Sequence, residues 1–225
     1  MIKDYGGFCV ELLKAGFSVG GGNDEGVFSL LKQHGDSSLR YHTGDPETDP
    51  WEWRMRVLNE RSDIAYSKVF FRKTGYITRE WYPYFLAVRR GGRMFEEDYE
   101  SGTISHFAKR IYEAVTENGR LALEEIKRVA GFSREEKSKF DTALTELQMR
   151  FYLTMCGEQR KVSVKGEEYG WPSTMFCAPE MFWSEDVFTE AARIGADEAL
   201  AAIEERVLEL NPLANEKKIV KFIKG

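Results

Sequence analysis

Along this chain apolar residues recur at helical spacing in several stretches, and between them the period shortens to that of strands. From Asp4 to Gly16, Phe8, Cys9, Leu12 and Leu13 share a helical face, and Gly16 is a suitable stop. Gly20-Gly21-Gly22-Asn23 reads as a turn, because no phosphate-loop spacing frames it. Val27 to Leu31 is apolar but too short to assign. Asp49-Pro50-Trp51-Glu52 starts a helix that runs to Glu60 or Arg61. Asp49 caps it, Pro50 suits its first position, and Glu52 is placed to reach back as in a capping box. The spacing puts Trp51, Met55 and Leu58 on one face and Trp53 off it. Ile64 to Arg72 reads as a strand, Lys73-Thr74-Gly75 as a turn, and Thr78 as the start of a helix over 79–90 with Pro83 near its first turn. Arg89 to Arg93 reads as a basic turn, and Glu96 to Glu100 as an acidic turn that forms the seam between two halves.

The second half has a definite order. Ser105 to Asn118 is amphipathic, with Phe107, Ile111, Tyr112 and Val115 on one side, and Asn118-Gly119 stops it. Arg120-Leu121-Ala122 has room for a single bridge, and Leu123 to Ala130 is a short helix ended by Gly131. Ser133-Arg134-Glu135-Glu136 reads as a capping box opening a third helix, in which Phe140, Leu144 and Leu147 recur. Phe151 to Cys156, Lys161 to Lys165 and Tyr169 to Cys177 read as strands, the last two joined at Gly166. Helix, short strand, helix, turn, helix and two-stranded wing is the order of a winged helix-turn-helix. After Pro179 come helices opened by Ser184, a long one over 196–210 ended before Pro212, and a last one over 215–223. The expected fold class is therefore α+β. It has an N-terminal aromatic-rich α+β half (1–100), a winged helix-turn-helix (101–178) and a C-terminal helical segment (179–225).

Composition narrows the function classes. Hydrophobic content of 42% supplies a core and excludes a disordered chain. The net charge of −5 argues against a dedicated nucleic-acid binder, but its distribution restores that reading. Residues 180–210 hold nine acidic and two basic side chains, whereas 40–95 hold eleven basic and seven acidic. Cys9, Cys156 and Cys177 sit in apolar contexts without a C-x-x-C, which suits reduced thiols of a cytoplasmic protein. No apolar run suits a signal peptide or a bilayer span, so no membrane partner is expected.

Three groups of residues could carry chemistry. The third helix would be a recognition helix, with Arg134, Lys137, Ser138 and Lys139 near its start and Arg160, Lys161 and Lys165 near the wing, as phosphate contacts. Glu135, Glu136, Asp141 and Glu146 on the same helix weigh against this, and winged helices also bind proteins. His42, Asp45, Asp49 and Glu52 lie within eleven residues. They read as capping and turn chemistry, as an acid/base site with Asp49, Glu52 and His42 as catalytic candidates, or as a divalent-metal site; no metal or cofactor is expected on balance. Trp53, Arg54, Tyr66, Lys68, Arg72, Trp81 and Tyr82 interleave rings with cations. They suit a pocket for a flipped base or a single strand, or a core with a snorkelling rim. No G-x-S-x-G occurs, and none of the cysteines has a polar setting.

Leu147-Gln148-Met149-Arg150-Phe151-Tyr152-Leu153 followed by Tyr169-Gly170-Trp171 resembles the winged-helix DNA glycosylase superfamily. Asp49-Pro50-Trp51-Glu52-Trp53-Arg54 with Glu80-Trp81-Tyr82-Pro83-Tyr84-Phe85 resembles small bacterial proteins related to it. The AlkZ-type enzymes of that superfamily release alkylated bases and unhook interstrand crosslinks through a Gln-x-Gln or Gln-x-Asp motif. None of Gln33, Gln148 and Gln159 has Gln or Asp two residues on, so no catalytic residue carries over. The resemblance implies a DNA-binding protein related to these glycosylases, with double-stranded DNA as partner. The alternatives are an active alkyl-base glycosylase in which Asp49 or Glu52 positions water, and a non-enzymatic module for a protein partner or a second copy.

Overall fold

The computed structural model describes residues 1–162 and 168–225. Two three-stranded antiparallel sheets, each backed by helices, share one core among the described residues. The first begins with α1 (Tyr5–Ala15), capped by the Asp4 carboxylate, which accepts from the Gly7 N–H at 2.7 Å. Gly16 ends it at φ 94°, with Trp81 so close that a Cβ would lie 2.3 Å from the indole. β1 (Phe17–Val19) follows, three buried residues too few for any periodicity to announce. α2 (Leu30–His34) occupies the unassigned apolar stretch. α3 (Pro50–Glu60) starts at Asp49 as the sequence suggests, but the Asp49 N–H is taken by the Asp45 carbonyl at 2.9 Å, which leaves Glu52 nothing to cap. Its buried face is also rotated. Trp53, Val57 and Leu58 point inward and Trp51 is 42% exposed, because Trp53 packs on Phe8 at 5.1 Å.

β2 (Ile64–Phe70) and β3 (Lys73–Thr78) form a hairpin, and the sheet order is β1-β3-β2. The turn is Phe71-Arg72, not the segment around Gly75. Gly75 lies inside β3, where a Cβ would meet the Phe70 ring at 2.3 Å. α4 (Tyr82–Arg89) starts later than expected. Thr78 closes β3 with its hydroxyl buried and unpartnered, and so caps nothing. α5 (Phe95–Glu100) replaces the expected acidic turn: acidic residues favour a helix N-terminus, and the Glu97 carboxylate accepts from the Met94 N–H at 2.8 Å.

Next come α6 (His106–Asn118), β4 (Leu121–Ala122), α7 (Leu123–Val129) and α8 (Lys137–Met149). Ser105 caps α6 through its hydroxyl. α8 begins four residues after Ser133. The Glu136 carboxylate still accepts from the Ser133 N–H at 3.1 Å, but it closes a turn in front of the helix. Phe151, at φ 62°, breaks the chain away from α8, so the strand expected from that residue starts at Thr154. β5 (Thr154–Val162) and β6 (Glu168–Cys177) make one long hairpin, with sheet order β4-β6-β5. Gly166 and Lys165 lie outside the described residues. α9 (Pro179–Phe182) packs on β5, and α10 (Glu185–Arg193), α11 (Ala196–Leu210) and α12 (Glu216–Lys224) return across α4. One apolar cluster runs from Ile2 to Ile223 across the boundaries at 100 and 178. Among the described residues no helix is long and apolar enough to cross a membrane.

Among the described residues, Gln148 and Arg89 are two of the buried polar side chains that join the parts of the chain. The Gln148 side-chain carbonyl accepts from the Ser67 hydroxyl at 2.9 Å and the Lys68 N–H at 3.0 Å, while its amide donates to the Leu144 carbonyl. A bulge between Ser67 and Phe70 frees that N–H from the β2–β3 ladder. Arg89 is 7% exposed and donates to three carbonyls: Ile223 at 2.8 Å, Phe222 at 2.7 Å and Met149 at 2.8 Å. Burial pushes its pKa down to about 9, so it stays charged at neutral pH.

Arg89→Met is expected to lower the unfolding free energy by about 3 kcal/mol, since two buried carbonyls and one part-buried carbonyl lose a charged donor. Gln148→Leu is expected to cost about 1–3 kcal/mol, because it strands Ser67 and Lys68. Urea denaturation measures both, and losses within about 0.5 kcal/mol of zero would contradict these roles.

Candidate nucleic-acid interface

The β2–β3 tip stands beside the first half of α8. Phe71 and Arg72 have φ values of 52° and 60°, the pair of left-handed residues that a two-residue hairpin turn requires. Asn and Gly usually fill such places, so Phe-Arg is costly there. Packing secures it: Phe70, just before the tip, stacks on Phe222 at 3.9 Å. Arg72 is thereby held out in solvent over a groove of about 740 Å³. Lys68, Arg72, Lys137, Ser138, Thr142 and Thr145 line it together with Glu135 and Asp141. Lys137 pairs with Asp141 at 2.7 Å, but both are exposed, and such a pair yields readily to a stronger anion.

The other expected DNA contacts lie elsewhere. Lys139 leans over the Phe107 ring at 4.9 Å, on another side of α8 from Lys137, and Arg134 is exposed in the preceding turn. Arg160 lines a second cleft of about 540 Å³, between α3 and the β5–β6 hairpin. The side chain of Lys161 is outside what the structure describes, although its backbone continues β5. That cleft also holds Trp51, Glu52 and Arg54, with the Arg54 guanidinium 3.2 Å above the Trp51 ring and His42 4.5 Å from the same ring.

The expected aromatic pocket is dispersed. Trp53 is fully buried, and Tyr66 packs on Tyr76 at 4.8 Å in the core. Trp81 is half-buried against Phe17 at 5.3 Å. Arg54 goes to the α3 cleft and Lys68 to the α8 groove. The rings that were candidates for stacking a base are mostly the core of the first sheet.

Asp49 is buried and fully engaged. One carboxylate oxygen accepts from the Thr43 N–H at 2.7 Å and the Gly44 N–H at 3.1 Å, the other from the Trp51 N–H at 2.8 Å. Burial raises its pKa, but these backbone donors together outweigh it and hold the carboxyl below its ordinary value. A carboxylate so held is a weak proton acceptor. Asp45 is occupied by the Glu47 N–H and the Thr48 hydroxyl. Among the described residues, no three His, Cys, Asp or Glu side chains converge to hold a metal ion. Of the catalytic candidates, Glu52 is the carboxylate that reaches an open cleft.

Arg150, Lys221 and Lys224 were not singled out for the site, yet they line a cavity adjoining the α8 groove. For Lys221 and Lys224 the linear signal is a cation-rich last helix, Arg150 has none, and the C-termini of α8 and α12 meet only through tertiary packing. A family model described as AlkZ related matches residues 2–224. No curated protein and no solved structure matches the chain.

Asp49→Asn is expected to destabilise the protein by about 1–2 kcal/mol near neutral pH. The depressed carboxyl stabilises the fold above its unfolded pKa, and that contribution is lost as pH falls through the folded value. The gap between wild type and Asn should therefore be constant from about pH 5 to 7 and narrow below about pH 4. Denaturation midpoints across pH test this, and a gap that widens in acid would contradict it.

Proposed function

The chain belongs to the AlkZ-related family, and from that premise we propose that it is a DNA-binding protein of DNA repair. In this reading residues 101–178 form a winged helix-turn-helix, with α8 as the recognition helix and the β5–β6 hairpin as the wing. The supporting topology is α6-β4-α7-α8-β5-β6 with β4 against β6.

The observation that carries the proposal is the groove between α8 and the β2–β3 tip. Lys68, Arg72 and Lys137 give it cations from two elements, and Ser138 and Thr142 give it hydroxyls, while the Thr145 hydroxyl donates to the Asp141 carbonyl. Cations hold phosphates through a salt-sensitive term, and hydroxyls serve phosphate oxygens or base edges. Glu135 and Asp141 at the same wall repel a misplaced backbone and accept from base amino groups. Gln148 fixes α8 to the hairpin, so the two walls of the groove form one unit. Arg160 beside the hairpin adds a second contact.

Binding needs none of the committed carboxylates. Base release is a second reading, favoured by Glu52 standing in a cleft with Trp51 and Arg54.

Fluorescence anisotropy with a labelled duplex at two salt concentrations tests the proposal. Lys68→Glu with Lys137→Glu should weaken binding at least about tenfold and flatten the salt slope by roughly 2. Unchanged duplex binding in that variant would remove the proposal and favour a protein-binding module. Release of an alkylated base that is lost in Glu52→Gln would add catalysis to the binding role.

A further inference from the structure

Beside the α8 groove lies a cavity of about 770 Å³ that the proposed duplex contact does not require. Its walls come from the hairpin tip, the ends of α4, α8 and α12, and the first turn of α11. Six cationic side chains line it: Arg72, Arg89, Arg93, Arg150, Lys221 and Lys224. Two side-chain carboxylates oppose them. Glu146 is held by Arg150 at 3.5 Å and the Ser105 hydroxyl at 3.2 Å, while Asp197 stays at the start of α11. Arg93 and Arg150 both face Asp98. Arg72, Lys221 and Lys224 are exposed, and their side chains make no hydrogen bond or ion pair with any described residue.

The floor is more telling than the rim. Arg89 is more than nine-tenths buried, and the carbonyls it meets use three of its five N–H donors. Among the described residues its other two donors have no acceptor, and no side-chain carboxylate pairs with it. A buried cation with spare donors, beneath a rim of unpaired cations, is stabilised by an anion. The first turn of α11 also lines the cavity; no side chain caps its N–H groups, and Asp197 and Glu198 within that turn complement its positive pole. Phe71, half-buried on the wall, adds an aromatic surface.

We propose that this cavity binds a nucleotide by its phosphates, with Arg72, Lys221 and Lys224 on the phosphate oxygens and Phe71 against the base. Its volume is within the range of small-molecule sites. The nucleotide has two possible sources. It can be free, or it can belong to a strand passing from the α8 groove, since Arg72 and Thr142 line both spaces. The free form stands independently of the DNA-binding reading, and the strand form rests on it.

The test titrates the full chain with deoxyadenosine diphosphate, with inorganic pyrophosphate and with a short labelled single strand. The proteins are wild type, Lys221→Glu with Lys224→Glu, Phe71→Ala, and Lys68→Glu with Lys137→Glu. Both α12 lysines are exposed, and a circular-dichroism melt confirms that each variant is folded. Free nucleotide that binds wild type, and binds at least about tenfold more weakly to the α12 double variant, supports the pocket and a free ligand. Phe71→Ala should weaken the nucleotide and leave pyrophosphate unchanged. Single-strand binding that shows the same α12 dependence, with no binding of free nucleotide, supports the pocket and a strand ligand. No binding of any of the three probes, or binding indifferent to the α12 reversal, overturns the pocket. In the latter case duplex binding that still depends on Lys68 and Lys137 leaves the DNA-binding reading intact. Loss of that reading with nucleotide binding retained is the converse result.

Discussion

A single buried guanidinium ties the last turns of three helices together. Arg89 closes α4 and reaches the carbonyls of Phe222 and Ile223 in the last turn of α12 and of Met149 at the end of α8. Carbonyls at helix ends have no partner within the helix and carry the negative pole of the helix dipole. Two such poles offset much of the cost of burying a cation with no carboxylate beside it. Each charged hydrogen bond contributes roughly 1.5–3 kcal/mol when its partner would otherwise be stranded. The stacking of Phe70 on Phe222 depends on the resulting seat of α12, and the unusual Phe71-Arg72 turn depends on that stack.

The same arrangement separates side chains that hold the fold from those open to a ligand. Gln148, Asp98 and Asp49 are buried and committed to named partners, and Arg89 commits three of its five donors to helix-end carbonyls. Asp98 receives the Tyr152 hydroxyl at 2.9 Å and the Arg93 guanidinium at 2.7 Å. Arg72, Lys68, Lys137, Lys221 and Lys224 lie along the groove and cavity on either side of the hairpin tip. A protein of net negative charge thus gathers cations from residues about 150 positions apart into one continuous surface. That concentration, and not the total charge, is what an anionic partner would feel within a Debye length.

The local signals for the fold were strong where one side chain answers one backbone need. Asp4, Asp49 and Ser105 cap the helices they precede. The order from α6 to β6 could be read directly from the periods of the hydrophobic pattern. Signals failed where the answer came from elsewhere in the molecule. Gly75 reads as a turn residue, but it is needed within a strand because Phe70 crosses it. The acidic run at 96–100 reads as a turn, yet Glu97 caps a helix with it. The aromatic stretch reads as a core with a snorkelling rim or as a pocket, and only packing sends Trp53 and Tyr66 inward and leaves Trp51 outside.

By itself the sequence determined the class of fold, most helix starts and the order of the second half, because periodicity and capping act over a few neighbouring residues. It also marked Lys68, Arg72 and Lys137 as cations suited to an anionic partner. Tertiary structure alone decided which of them share a surface. It made Asp49 a structural carboxylate by surrounding it with backbone donors, and it turned Gln148 into a bridge between the halves. It also brought Lys221 and Lys224 to a cavity shared with a hairpin tip far away in the chain. Proximity between distant residues is set by how packed faces meet, and no linear pattern records it.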